Sequence, residues 1–192
     1  MIVDGVLLAS QTRGFEFSSY VRISPSINQA TPLGCAAGHS RFGGTDKSFA
    51  VLYAAYDLAT ALAEVLVRDR FEGLEARRLF AAELADWAAV QIHTVRPLRL
   101  LDLRKGGCLK LGVSTDIAGA KCHHEAQQFS DLVYKDATID GILYASRLTA
   151  KNCVAIFDRA TTSHLTQSSI APLIQLADVG EALKKLNIQL IL

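Results

Sequence analysis

The chain has 192 residues, half of them hydrophobic and 20% charged, which suits one globular domain with a full core and argues against disorder. Twenty basic and 19 acidic residues leave a net charge of +1, so no global field selects nucleic acid, an anionic membrane or a basic partner. No window reaches the ~18 apolar residues of a membrane span, Asp4 interrupts the apolar run MIVDGVLLAS, and four widely spaced cysteines read as reduced thiols, so a soluble cytosolic protein is expected.

In chain order, MIVDGVLLAS reads as strand-like or a short lead-in, and FEFSSYVRIS alternates as a strand carrying Arg22. The turn-rich SPSINQATPLG opens a polar loop that runs on through GHSRFGGTDKS, followed by the short apolar run SFAVLYAA, a buried-strand pattern. Asp57 suits an N-cap, and Leu58, Ala61, Leu62, Val65 and Leu66 share one face of a helix expected over about 58–70. A second helix is expected over EARRLFAAELADW, then one or two strands in AVQIHTVRPLRLLDL, broken at Pro97. A helix through HHEAQQFSDLVYK precedes two strands, DGILYASR and NCVAIFDR, and the tail reads as a short strand, a helix over DVGEALKKL and a final strand. Without repeats or a low-complexity linker, one α+β domain over 1–192 is the simplest architecture.

Several chemistries lack their signatures. There is no GxGxxG or GxxxxGK[ST], which removes dehydrogenase and P-loop readings, and no GxSxG elbow. Nothing among five histidines and four cysteines selects a Cys-His pair. Cys122, His123 and His124 are metal-ligand types, but adjacent side chains rarely converge on one ion and no second half follows, so an exposed helix start without metal is expected. Taken by spacing alone, Glu64 and Arg68 form a solvated i,i+4 pair contributing ~0.3–0.5 kcal/mol, Arg41 is a surface arginine, Tyr53 fills core and Ser146 ends a strand.

Order and spacing add a further reading. YVRIS, SRF in a Gly-rich loop, VLYAA, ALAEVLVRDRF, then DGILYASR and CVAIFDR together resemble the RES domain, the toxin half of toxin–antitoxin pairs, over about residues 20–159. The resemblance implies an ADP-ribosyltransferase-like core, a split β-sheet with flanking helices and a cleft for NAD+, and an activity that cleaves the nicotinamide–ribose bond. It puts the family's arginines at Arg22 and Arg41, with Arg147 as a further candidate, its tyrosine at Tyr53, its glutamate at Glu64 and its serine at Ser146. It also implies a cognate Xre-type helix-turn-helix antitoxin that covers the cleft, assembly with it as a hetero-oligomer, and NAD+ as substrate without cofactor or metal. One motif departs from the family: many members carry a GGRWNP-like loop, whereas here Gly43 and Gly44 follow Arg41 and no proline does.

The residue types suit that chemistry. As neutral nicotinamide leaves, positive charge develops on the ribose, which a carboxylate at Glu64 stabilises. Arginine forks at 22 and 41 match pyrophosphate oxygens, Tyr53 offers a flat face to nicotinamide, and Ser146 a hydrogen bond to the ribose or the nucleophile. Arg68 suits orienting Glu64. The acceptor stays open among water, inorganic phosphate and a protein side chain, the last making an ADP-ribosyltransferase. A non-catalytic nucleotide- or protein-binding module on the same fold is the alternative from another class.

Overall fold

The computed structural model describes residues 4–35, 37–68, 70–168 and 170–191. The first three residues of the opening segment and Asp69 of the expected 58–70 helix therefore lie outside the described residues. In chain order the elements are α1 (Gly5–Gln11), β1 (Thr12–Phe15), β2 (Tyr20–Pro25), β3 (Val51–Ala55), α2 (Leu58–Leu62), β4 (Arg78–Phe80), α3 (Ala81–Ala85), β5 (Trp87–Thr94), β6 (Leu98–Asp102) and α4 (Gly107–Lys110). They continue with α5 (Asp116–Gly119), α6 (His124–Tyr134), β7 (Gly141–Ala145), β8 (Asn152–Phe157), α7 (Asp158–His164), β9 (Leu165–Gln167), β10 (Ala171–Pro172), α8 (Val179–Lys185) and β11 (Gln189–Ile191). The architecture is the expected α+β.

The main sheet runs β1-β6-β7-β8-β3-β2-β5-β10, with β9 also on β5, while β4 and β11 form a separate parallel pair. Among the described residues only β6 and β7 pair in parallel within the main sheet; the remaining ladders are antiparallel. The central strands are apolar on both faces. Along β8, Cys153, Ala155 and Phe157 join one core cluster while Val154 and Ile156 join the other, and β3 divides likewise between Val51, Ala55 and Leu52, Ala54. That two-sided burial explains why VLYAA, GILYA and CVAIF read as continuous apolar runs instead of alternating ones. At Gly141 β7 runs close against β8: a Cβ there would sit 2.2 Å from the Ala155 carbonyl oxygen.

The sheet is split between β2 and β3. β2 matches β5 over six residues, Tyr20↔Ile92 to Pro25↔Trp87, and β3 matches β8 over five, Val51↔Phe157 to Ala55↔Cys153. Between β2 and β3 a single pair, Val21↔Ala55, is bridged. Beyond it the strands diverge, and their inner edges open on a cleft.

Four sequence expectations change. Residues 5–11 are helical, because Asp4 caps the turn by accepting from the Val6 amide at 2.8 Å. The single strand expected over FEFSSYVRIS is two strands, β1 and β2, separated at residues 16–19. The helix expected over 75–87 is a strand, β4, a five-residue helix and the start of β5 at Trp87; pairing of Leu79 with Leu190 of β11 outweighs helix propensity at 78–80. The 58–70 helix starts at Leu58 but passes into a π-helical turn at Ala63–Val67, closed by the Arg68 amide on the Ala63 carbonyl at 2.8 Å. Residues four apart no longer stack there. Arg68 ends the turn at φ 31°, ψ −114°.

Asp57 caps this helix by accepting from the Thr60 amide at 2.8 Å. Asp57→Ala is expected to lower unfolding free energy by about 1 kcal/mol, read as a reduced urea midpoint at unchanged m-value.

Candidate active site

The split encloses a cleft of about 510 Å³, within the range of small-molecule sites. One wall is β2 with the following 3-10 turn at Ser26–Asn28 and the loop to Cys35; the other carries Val51 and Tyr53 of β3, Glu64, Val65 and Arg68 of the π turn, and Tyr144 of β7. The floor is Ser40 and Arg41. Arg22, Arg41, Tyr53 and Glu64 thus line one cavity, although 42 residues separate the first from the last in sequence.

Arg22 and Ser24 project from the same face of β2, as alternate strand residues do. Arg22 Nη2 donates to the Gly34 carbonyl oxygen at 2.6 Å, while its Nε has no partner. Ser24 is 5% exposed and its Oγ is unpartnered. Arg41 is 8% exposed with Nη1 unpartnered. Among the described residues neither arginine enters an ion pair. Burial pulls both guanidinium pKa values down, and for Arg41 the neighbouring Arg68 and Arg147 pull the same way. Buried polar groups are nearly always satisfied, so three residues of one cavity that each carry an unpartnered buried polar atom mark it as a candidate functional site.

Tyr53 fixes the floor. Its hydroxyl donates to Ser40 Oγ at 3.1 Å and accepts from the Phe42 amide at 2.8 Å, so it grips the chain on both sides of Arg41. Phe42 is fully buried against Tyr144, ring centroids 5.2 Å apart and edge-on, an anchor contributing roughly 1.5–3 kcal/mol. Gly43 is required by the same turn: a Cβ there would meet the Gly38 carbonyl oxygen at 2.7 Å and Ser40 Oγ at 2.9 Å.

Glu64 is half-buried, and its Oε1 accepts from Ser146 Oγ at 2.5 Å. Ser146 does not line the cavity. It is 2% exposed, with Oγ also accepting from the Leu148 and Thr149 amides at 3.1 and 3.3 Å; Thr149 Oγ1 in turn lies 3.1 Å from Thr60 Oγ1 on α2. Arg68, instead of pairing with Glu64, reaches His123 Nε2 at 3.1 Å. Arg147 is exposed, one residue past Ser146.

Ser24 and Tyr144 are cleft residues that sequence reasoning did not single out. The alternation YVRIS, polar at 22 and 24, was the available signal for the first; Tyr144 is hidden inside an apolar run. Burial holds the Tyr53 and Tyr144 hydroxyls above the ordinary tyrosine pKa. It drives the Cys153 thiol far up, and the Glu64 charge adds to this, so that cysteine is inert as a nucleophile. Among the described residues no cluster of three metal-ligating side chains occurs, Cys122–His124 included.

A family model for the RES domain matches residues 19–175. A Sinorhizobium fredii (strain NGR234) protein named "Probable toxin y4kH" is 34% identical over 112 residues, which span 57% of this chain and 87% of that protein. A chain in the crystal structure of the M. tuberculosis MbcT–MbcA toxin–antitoxin complex shares the fold at a TM-score of 0.67 and 16% identity, covering 90% of this chain and 94% of its own. The family match runs past the motif-bearing segment at 20–159 to take in β9 and β10, the two short strands that complete the β5 edge behind the cleft. From the first cleft strand to that closing edge, the chain belongs to the RES domain family.

Proposed function

We propose that this protein is the toxin of a toxin–antitoxin pair and acts by cleaving the nicotinamide–ribose bond of NAD+, by hydrolysis or phosphorolysis. The observation that carries the reading is the set of orphaned atoms, Arg22 Nε, Ser24 Oγ and Arg41 Nη1, on a cavity whose other wall presents Glu64. A pyrophosphate supplies the missing counter-charge and acceptors for the two guanidinium groups in forked geometry. The toxin name of a 34% identical relative and the toxin–antitoxin assembly of the fold neighbour support the same direction.

In the reaction, the C–N bond to nicotinamide breaks with its electron pair moving onto the ring nitrogen, which becomes neutral as positive charge grows on the ribose. Glu64, held by Ser146 from behind, stabilises that charge. An oxygen of water or phosphate then bonds to the ribose carbon and its proton leaves to solvent. In this arrangement Ser146 is a positioning residue and Tyr53 does double duty: it lines the cavity while its hydroxyl keeps the Arg41 loop in place. NAD+ is consumed as substrate, and no resident cofactor or metal is invoked. The site of action is the cytoplasm, and the inhibitor is an Xre-type helix-turn-helix antitoxin that occludes the cleft in a hetero-oligomer.

The deciding experiment incubates the purified protein with NAD+, with and without inorganic phosphate, and resolves nicotinamide and the ribose product by chromatography. Glu64→Gln is expected to slow release by at least ~10²-fold at unchanged fold; an equal rate removes the carboxylate from the mechanism. Arg41→Ala is expected to raise KM more than it lowers kcat, since its contact is with the bound pyrophosphate throughout. Ser146→Ala should lower kcat with little change in KM. Label transferred to protein instead of release of a free ribose product would make the enzyme an ADP-ribosyltransferase, and no release from folded, inhibitor-free protein would leave a binding module.

A further inference from the structure

Helix α6 lies outside the cleft lining, yet one of its faces meets the Arg41 loop residue by residue. His123 Nδ1, just before the helix, lies 3.4 Å from the His39 carbonyl oxygen. Gln127 Nε2 donates to the Ser40 carbonyl at 3.0 Å, and Ser130 Oγ to the Phe42 carbonyl at 2.6 Å. Asp131 accepts from the Thr45 amide at 3.2 Å and from its hydroxyl at 2.6 Å. Positions 123, 127, 130 and 131 follow i, i+4, i+7, i+8, one stripe of a helix, while Ala126, Phe129 and Val133 sit buried in the core.

We infer that this stripe, Gln127 above all, positions Arg41, holding its guanidinium in the cleft before any ligand arrives. Nothing at the far end of the side chain does so: Nη1 is unpartnered and no carboxylate pairs with it among the described residues. A buried cation without a counter-ion turns toward water unless its backbone prevents it. Here the carbonyls of Ser40 and Phe42, on either side of Arg41, are both taken by α6. Most of these contacts go to loop backbone, so the helix dictates the path of the chain whatever side chains the loop carries. No proline follows Arg41 in this loop to restrict the backbone, and the α6 stripe restrains it by hydrogen bonds instead. The consequence for substrate affinity rests on the reading that Arg41 binds the pyrophosphate of NAD+; the consequence for the loop does not.

The test uses Gln127→Met, which keeps length and removes the donor, with Ser130→Ala as a second variant. Hydrogen exchange of segment 39–45 in the ligand-free protein is expected to accelerate in both, with exchange of β7 and β8 unaltered. For NAD+ cleavage, KM should rise about three- to tenfold, the size of losing one neutral hydrogen bond, at unchanged kcat. In an Arg41→Ala background Gln127→Met should add nothing further to KM. An equal effect in both backgrounds, or exchange of 39–45 that does not change, overturns the inference. If the unmodified protein cleaves no NAD+, the reaction reading fails by itself, and exchange of the loop alone decides whether α6 positions it.

Discussion

Everything functional in this molecule depends on a sheet that stops pairing. β2 and β3 share one bridge, Val21↔Ala55, and each is bound firmly on its far side, β2 to β5 and β3 to β8. Strands gripped on one edge and released on the other leave an opening that cannot collapse, because closing it would peel one strand from its ladder. Small-molecule sites commonly form where packed elements part in this way. The cleft is therefore a property of strand pairing, and the side chains on its walls are carried there by residues that have other structural duties.

A second theme is charge without counter-charge. Arg41 is buried and Arg22 half-buried, and neither has an acidic partner among the described residues; a backbone carbonyl, that of Gly34, accepts from Arg22. Such groups lower stability in the empty protein, since an unsatisfied buried donor costs about 1–3 kcal/mol. A core of fully buried Phe42, Phe129 and Phe157 and a doubly covered central sheet offset that cost. Functional sites are where local rules are broken and compensated elsewhere. Glu64 is treated differently: it is half-buried, oriented by one hydroxyl, and that hydroxyl is itself locked by two backbone amides. Arg22, Arg41 and Glu64 thus line one cleft with independent supports.

The π turn at Ala63–Val67 shows how a small backbone irregularity changes a side-chain argument. On a regular helix Glu64 and Arg68 share a face and pair. With the helix widened, Arg68 swings to His123 and leaves Glu64 to Ser146, 82 residues away in sequence. The spacing rule was sound for the geometry it assumed; the geometry differed.

The sequence alone determined the elements whose causes are local or periodic. The apolar runs of β3, β7 and β8, the Asp57 cap with the helix after it, the amphipathic α6 and the α+β class were all legible because burial of both sheet faces and capping leave marks at short range. Ordered motifs similar to those of a known family also singled out Arg22, Arg41, Tyr53 and Glu64, which line the cleft, and Ser146, which does not. Tertiary structure decided what those residues touch. The β4 strand exists only because β11 pairs with it from the other end of the chain, and Ser146 became Glu64's support only when the residue after β7 came to lie beside the π turn. Ser24 and Tyr144 became cleft residues only once β2 parted from β3. Contacts of that kind depend on long-range pairing and on where a sheet stops pairing, and neither leaves a period or a motif in the amino-acid sequence.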